Sequence, residues 1–589
     1  MKNGARLAII GGVMTALTLG WGFATGRLGQ QGLVGDQESQ GYIAMFDVPT
    51  RPTVSGNYLS GRVAQRNGDW DTAAKRFDWL ADAAGMPTDM AQRAMVLSMG
   101  AGQPDRAVAL AETIIKQKKM DLADLILAMD AVKKNDLDLA RKRLSGPSES
   151  GLGQNVKPVL LAWLSLPDKS KAPTPALPVL KPTNPLAFYH AILISDAFGR
   201  KDELARLPAD AVIRAGFIGK TLERLGDAYL RHGLFNQAGL IYAHLLIDAP
   251  QDKQLIAKRD AAKTGIVPAD LSLVAPIATP TEGIVKTNAD MAALLFQEGA
   301  MDSARLFAQI AAYLDPTGAE SHIILANISV SDNRLPDAIK QLEAIKPHDK
   351  AAEHSIIRQI AELNIEIKDP ASALQSLSTL AKEHNDVQAQ MQIGDIHRNQ
   401  ENFAPALDAY NAAFKMLGDK VGAQHWELFY ARGMVQERLK NYKEADADLE
   451  KALSYQPNHP YILNYLGYSW ADRGKNLDKA LAMISRAVRL QPDDGYITDS
   501  LGWIYYRMGE YPKAVPVLED AVALMPYDPV INDHLGDAYW QVGRKSEARF
   551  QWQRALNAAM EDDISDDADL RAQLSDKLEN GPKPADKKS

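Results

Sequence analysis

The sequence predicts an all-α protein built as a helical solenoid, and three observations carry that expectation. Residues 429–457, 463–492, 498–526 and 532–560 can be laid over one another as successive copies of one unit. Each copy sets a small residue in a first helix, at Gly433, Gly467, Gly502 and Gly536, spaced 34, 35 and 34 apart. Each then sets a bulky apolar residue between two alanines of a second helix. The first alanines are Ala445, Ala480, Ala514 and Ala548; the bulky residues are Leu449, Ile484, Leu518 and Trp552; the second alanines are Ala452, Ala487, Ala521 and Ala555.

The spacing has a physical reading. Leu501, Gly502 and Tyr505 share one helix face at i, i+1 and i+4, as do Ala514, Leu518 and Ala521 at i, i+4 and i+7. Small residues let two helices approach closely, and bulky ones fill the space between units. Pro457, Pro492 and Pro526 close three of the four units, because proline lacks the helix donor and clashes with the preceding turn.

This pattern resembles the tetratricopeptide (TPR) repeat, a 34-residue helix–turn–helix. Weaker copies continue upstream in the same phase. Their first-helix residues are Gly394, Ala361, Ala326 and Ala292, and their second-helix alanines are Ala406, Ala373, Ala338 and Ala304. Further copies hold Gly226 with Ala238, Gly61 with Ala73, Met95 with Ala107, and Ala128 with Ala140. Residues 156–165, around Trp163, look like a first helix whose unit then breaks off. The period covers most of residues 56–560 in roughly twelve to thirteen units. The resemblance implies that these form a right-handed superhelical TPR solenoid.

Two interruptions divide the array. Residues 166–186 are rich in proline and lysine and read as a loop. Residues 266–286 mix β-branched residues with proline and read as the linker between an N-terminal lobe (56–265) and a C-terminal array (287–560). In residues 561–580, Leu570, Leu574 and Leu578 form one apolar stripe on a charged helix, as an end cap requires. Residues 581–589 read as a disordered tail. At the other end, Lys2 and Arg6 precede the uncharged run Leu7–Thr25. Residues 1–26 are therefore expected to be a signal peptide or N-terminal membrane anchor, followed by a linker at 27–55. The charge order favours export of the body, placing it in the periplasm or its equivalent, soluble or tethered to the inner membrane.

Composition narrows the chemistry. The 589 residues carry a net charge of −8, which opposes general nucleic-acid binding, and no cysteine, which excludes disulfides, thiolate metal sites and a lipid-modified N-terminal cysteine. The stretch IRAGFIGKT at 213–221 resembles a phosphate-binding loop, but Arg214 stands where the first glycine is needed. The eleven histidines form no zinc motif; His348 and His354 are six apart. No catalytic residue, cofactor or metal is expected, and an enzyme built on 213–221 is an unfavoured alternative.

Aromatic residues are concentrated: 12 of 19 tyrosines and five of nine tryptophans lie between residues 426 and 552. The TPR resemblance implies that first-helix residues line an inner groove. On that basis the lining is Tyr430, Asn464, Tyr468, Tyr496, Asp499, Trp503, Tyr506, Arg507, Asp533, Asp537 and Trp540. Aromatic platforms beside acids suggest a protein or peptide partner with apolar side chains and some Lys or Arg. The expected function is a non-catalytic scaffold of the cell envelope. The alternative is a subunit of a polysaccharide export or synthesis machine, with the aromatics stacking on sugar rings.

Overall fold

A computed structural model describes residues 53–82, 87–118, 120–146, 151–165, 185–214, 217, 219–561 and 568–582. The expected signal peptide or anchor at 1–26 lies outside the described residues, as do most of the 27–55 linker, the 166–186 loop and the C-terminal tail. The described residues form helices and turns with no strand. None of these helices is long and apolar enough to cross a membrane. The chain parts into two compact units, residues 1–356 and 357–589.

The first unit begins with three hairpins: α1 (Val54–Arg66) with α2 (Trp70–Asp82), α3 (Thr88–Gly100) with α4 (Pro104–Gln117), and α5 (Asp121–Lys133) with α6 (Leu137–Leu144). Thr53 caps α1 by accepting from the Gly56 amide, so the helix starts inside the segment read as linker. Next come α7 (Gly151–Leu164), α8 (Pro185–Ala197), the short α9 (Lys201–Ala205) and α10 (Ala209–Arg214). The unit continues with α11 (Gly219–Arg231), α12 (Phe235–Asp248), α13 (Lys253–Thr264), α14 (Pro280–Gln297), α15 (Met301–Leu314), α16 (Ala319–Ser331) and α17 (Leu335–Glu343).

Residues 266–286 do not separate two lobes. Pro280 opens α14, and the preceding extended segment is tied down by side chains of α11. The Val274 amide donates to Asp227 at 2.7 Å, Arg231 donates to the Val274 carbonyl, and Ile277 is buried. Proline and β-branched residues do stop the helix there. The amide and carbonyl of Val274, so released, are bonded by α11 instead of water. Helices α14 and α15 then fold back onto the first helices of the opening hairpins. Tyr313 donates to Asp130 at 3.0 Å, Lys133 to the Leu314 carbonyl at 3.2 Å, and Gln65 to Asp302 at 2.8 Å. Gly283 of α14 lies against the ring of Trp163, the residue of the broken unit. One apolar core runs from Ala64 to Ile328, and the division falls at Ile356–Ile357, within α18 (Lys350–Glu366).

The second unit is a regular stack: α19 (Pro370–His384), then the pairs α20 (Val387–Asn399) and α21 (Phe403–Leu417), α22 (Trp426–Arg438) and α23 (Tyr442–Tyr455), α24 (Pro460–Asp472) and α25 (Leu477–Leu490), α26 (Gly495–Arg507) and α27 (Tyr511–Leu524), α28 (Pro529–Gln541) and α29 (Lys545–Glu561). A last helix, α30 (Ala568–Asn580), buries Leu574 completely. First helices start three residues before the sequence-derived units, and each glycine is the eighth residue of its helix. The reason for glycine is close approach. A Cβ on Gly433, Gly467, Gly502 or Gly536 would stand 2.8, 2.8, 2.4 and 2.4 Å from Leu449, Ile484, Leu518 and Trp552. The same device joins Gly394 to Tyr410, Gly226 to Tyr242 and Gly61 to Phe77, each sixteen residues on. Gly502→Val is expected to destabilise its repeat by about 1–3 kcal/mol through overpacking, read as faster amide exchange over 495–524. Unchanged exchange would remove glycine from this role.

Candidate partner-binding face of the C-terminal repeats

The expected groove residues all sit on first helices of the second unit, but they do three different things. One group forms aromatic contacts. Tyr430 meets Tyr465 edge-on at 6.0 Å; Trp503 stacks on Tyr506 at 4.8 Å and on His534 at 4.0 Å. Tyr468 is half-buried, and its phenol is raised by burial and then by the Asp472 and Asp499 charges. A second group is polar and exposed: Arg507 reaches Asp472 at 3.3 Å, and Tyr496 is 56% exposed.

The acids form the third group, and the structure corrects their role. Asp499, Asp533 and Asp537 are buried, each with a cation of the next helix in the stack. His534 stands 2.9 Å from Asp499. Lys577, on α30, donates to Asp533 at 2.7 Å and to Asp537 at 2.9 Å. Trp552 also donates to Asp537, at 3.1 Å. These carboxylates join repeat to repeat and are spent before any basic partner arrives. Trp540 is likewise structural: it packs on Trp552 at 5.4 Å, with Lys545 and Arg549 over its ring and Gly581 against its edge.

The cap is pH-dependent. Burial and then Asp533 push the Asp537 carboxyl up to about 6. Burial alone would lower His534, but the Asp499 carboxylate outweighs it and raises the imidazole above its ordinary 6.5. Both groups bind protons more tightly folded than unfolded. Their stabilisation is therefore complete below the unfolded values and lost as pH rises, for Asp537 between 3.8 and about 6 and for His534 above 6.5. Urea unfolding of the C-terminal repeats should show this fall, and Asp537→Asn should remove its acidic half. An unchanged acidic slope in that variant would contradict the assignment.

Four residues of this face, Trp426, His459, Tyr461 and Val530, escaped the sequence reading. Trp426 packs on His459 at 4.7 Å, and His459 on Tyr461 at 5.9 Å. Tyr461, Tyr496 and Val530 are the second residues of α24, α26 and α28, and all three are exposed. Their 35 and 34 spacing was the available signal. Three of the face residues named above carry a buried polar side-chain atom without a hydrogen-bond partner: His459 Nδ1, Asn464 Oδ1 and Trp503 Nε1.

The stretch 213–221 does not make a phosphate loop. Arg214 ends α10 and Lys220 lies in α11, 2.7 Å from Glu223, so a helix stands where a strand is required; residues 215, 216 and 218 lie outside the described residues. Among the described residues no group of three or more His, Asp or Glu is placed to hold a metal ion.

Stacked helix hairpins, closed by glycine against a bulky residue and presenting one face of first helices, define a helical-repeat interaction scaffold. A model of a tetratricopeptide repeat-like domain matches residues 286–441, and a tetratricopeptide-repeat model matches 430–495 and 500–563. Residues 286–495 and 500–563 are thus tetratricopeptide-type repeats, a class whose members bind proteins or peptides and are generally non-catalytic. No curated protein matches it. Similar solved structures include a TPR protein from Parabacteroides merdae, at 17% identity over 44% of this chain and 97% of that one, with a TM-score of 0.35. Another is a thermophilic TPR protein of Thermus thermophilus, at 24% identity over 33% and 99%, with a TM-score of 0.29. The APC/C hetero-tetramer Cut9–Hcn1 aligns at 14% identity over 79% and 98%, with a TM-score of 0.31.

Proposed function

We propose that this protein is a non-catalytic scaffold of the cell envelope, whose C-terminal repeats hold an extended, apolar or aromatic segment of a partner protein. The observation that carries the reading is the exposed row of Tyr461, Tyr496 and Val530, each the second residue of a successive first helix of the stack. Such a row would anchor the side chains of an extended segment laid across the repeats. Basic residues in the partner are no longer called for, since the acids are paired within the stack.

A photo-crosslinker at Tyr461 should capture one discrete partner in cells, and Tyr496→Ala should weaken that partner's affinity by at least about tenfold without changing the unfolding midpoint. Binding should persist at high salt, because no exposed ion pair carries it. Loss of the adduct at high salt would overturn the apolar reading. The envelope location rests on Lys2, Arg6 and the uncharged run after them. A reporter active only outside the cytoplasm, fused after Ser589, should be active; an inactive fusion would remove the envelope from the proposal. Sugar stacking is not favoured, because Trp503 already stacks on two rings and Trp540 is packed beneath the cap.

A further inference from the structure

A cleft of about 470 Å³ in the first unit is independent of the C-terminal face. It opens between α1–α3 on one side and α15–α16 on the other, where the folded-back helices meet the opening hairpins. Four guanidinium groups line it, from Arg62, Arg66, Arg93 and Arg305, against two carboxylates, from Asp302 and Asp332, leaving a net charge of +2 (four minus two).

The pairing inside the cleft is incomplete. Arg305 is satisfied by Asp332 at 2.5 Å and lies over Trp70. Arg93 donates to Gln65 at 2.6 Å, but its Nε is buried without a hydrogen-bond partner. Among the described residues, Arg62 and Arg66 have no ion pair. Burial, and then the neighbouring Arg62 charge, hold Arg93 below its ordinary value. Asp302 accepts from the Gln65 amide through one oxygen only, leaving the other for a ligand hydroxyl.

We propose that this cleft binds an organic phosphate monoester, its dianionic head held by Arg62, Arg66 and Arg93 and its hydroxylated body by Asp302. Three arginines that repel one another around a shared space are stabilised by an anion placed between them. The planar guanidinium fork matches phosphate oxygens bidentately, and charge-assisted hydrogen bonds of this kind are the strong ones. A net charge of +2 matches the two charges of a monoester near neutral pH. The volume falls within the roughly 300–1,000 Å³ of small-ligand sites, with room for a body beyond the phosphate head.

Titration calorimetry of the full-length protein tests this, with a hexose phosphate, a nucleoside monophosphate, inorganic phosphate, the unphosphorylated hexose and a tricarboxylate as probes. At least one monoester should bind, and tighter binding by the sugar or the nucleoside ester identifies the body. Arg62→Gln with Arg66→Gln should weaken it by at least about tenfold, while the ligand-free unfolding midpoint stays unchanged because both side chains are exposed. Arg489→Gln, in the other unit, should have no effect. The proposal is overturned if no monoester binds more tightly than inorganic phosphate and the tricarboxylate, or if the double variant keeps its affinity. Either result leaves the reading of the C-terminal face intact, since that face lies in the other unit.

Discussion

Trp163→Ala is expected to destabilise the first unit by about 3–5 kcal/mol, the cost of truncating a large buried aromatic. Trp163 is fully buried, and α14 comes so close that a Cβ on Gly283 would stand 2.1 Å from its ring. The indole also donates to His190 Nδ1 at 3.1 Å, and His190 Nε2 faces Asp290 at 3.2 Å. Truncation therefore opens a cavity and strips a fully buried imidazole of a partner. Gly283→Leu should be damaging for the opposite reason, and the two changes together should cost less than their sum, because the leucine enters the space the indole left. Chemical denaturation of the four proteins measures this. Additive costs would mean that α14 does not pack on Trp163.

Lys258→Met should cost about as much, roughly 3–5 kcal/mol, by breaking a buried ion cluster from one side. Lys258 is 2% exposed and donates to Glu223 at 2.7 Å and to Asp227 at 2.8 Å. Asp227 is itself fully buried and accepts from Tyr242 and from the Val274 amide. Removing the cation strips the fully buried Asp227 of its ammonium partner and leaves Glu223 with only the exposed Lys220. The loss should appear first in the segment before α14, as faster exchange of the Val274 amide. A Tyr242→Phe control removes only a neutral hydrogen bond and should cost about 1 kcal/mol. Equal losses in the two variants would show that the cluster's charge is immaterial.

Local packing was legible in the sequence where it depends on period alone. The positions of Gly433, Gly467, Gly502 and Gly536 and of the bulky residues that follow were legible, but the bulky residues were read as filling the space between units, whereas each meets the glycine of its own hairpin. The fold-back of α14 and α15 was not legible. It joins Gly283 to Trp163 and Asp302 to Gln65, and periodicity says which face of a helix is apolar but not which distant helix covers it. Residues 266–286 accordingly read as a linker, although Asp227 and Arg231 hold Val274 in place. Of the expected face, Tyr430, Tyr468, Tyr496, Trp503 and Tyr506 do stand on first helices, whereas Trp540 packs against Trp552 and the acids are paired within the stack. The sequence offers no means of seeing that Asp499 meets His534 one repeat on, or that Lys577 on the cap reaches Asp533 and Asp537.

If a partner's apolar segment lies along the first-helix face of the C-terminal repeats, crosslinkers placed on that face must reach it. The most direct measurement is site-specific photo-crosslinking of the full-length protein at Tyr461 and Tyr496, with Phe550, exposed on the second helix α29, as the comparison. The same discrete adduct should form from both tyrosine positions, insensitive to salt and absent from Phe550. An adduct from Phe550 alone, or one from the tyrosines that salt abolishes, would contradict a partner held on this face by apolar contacts.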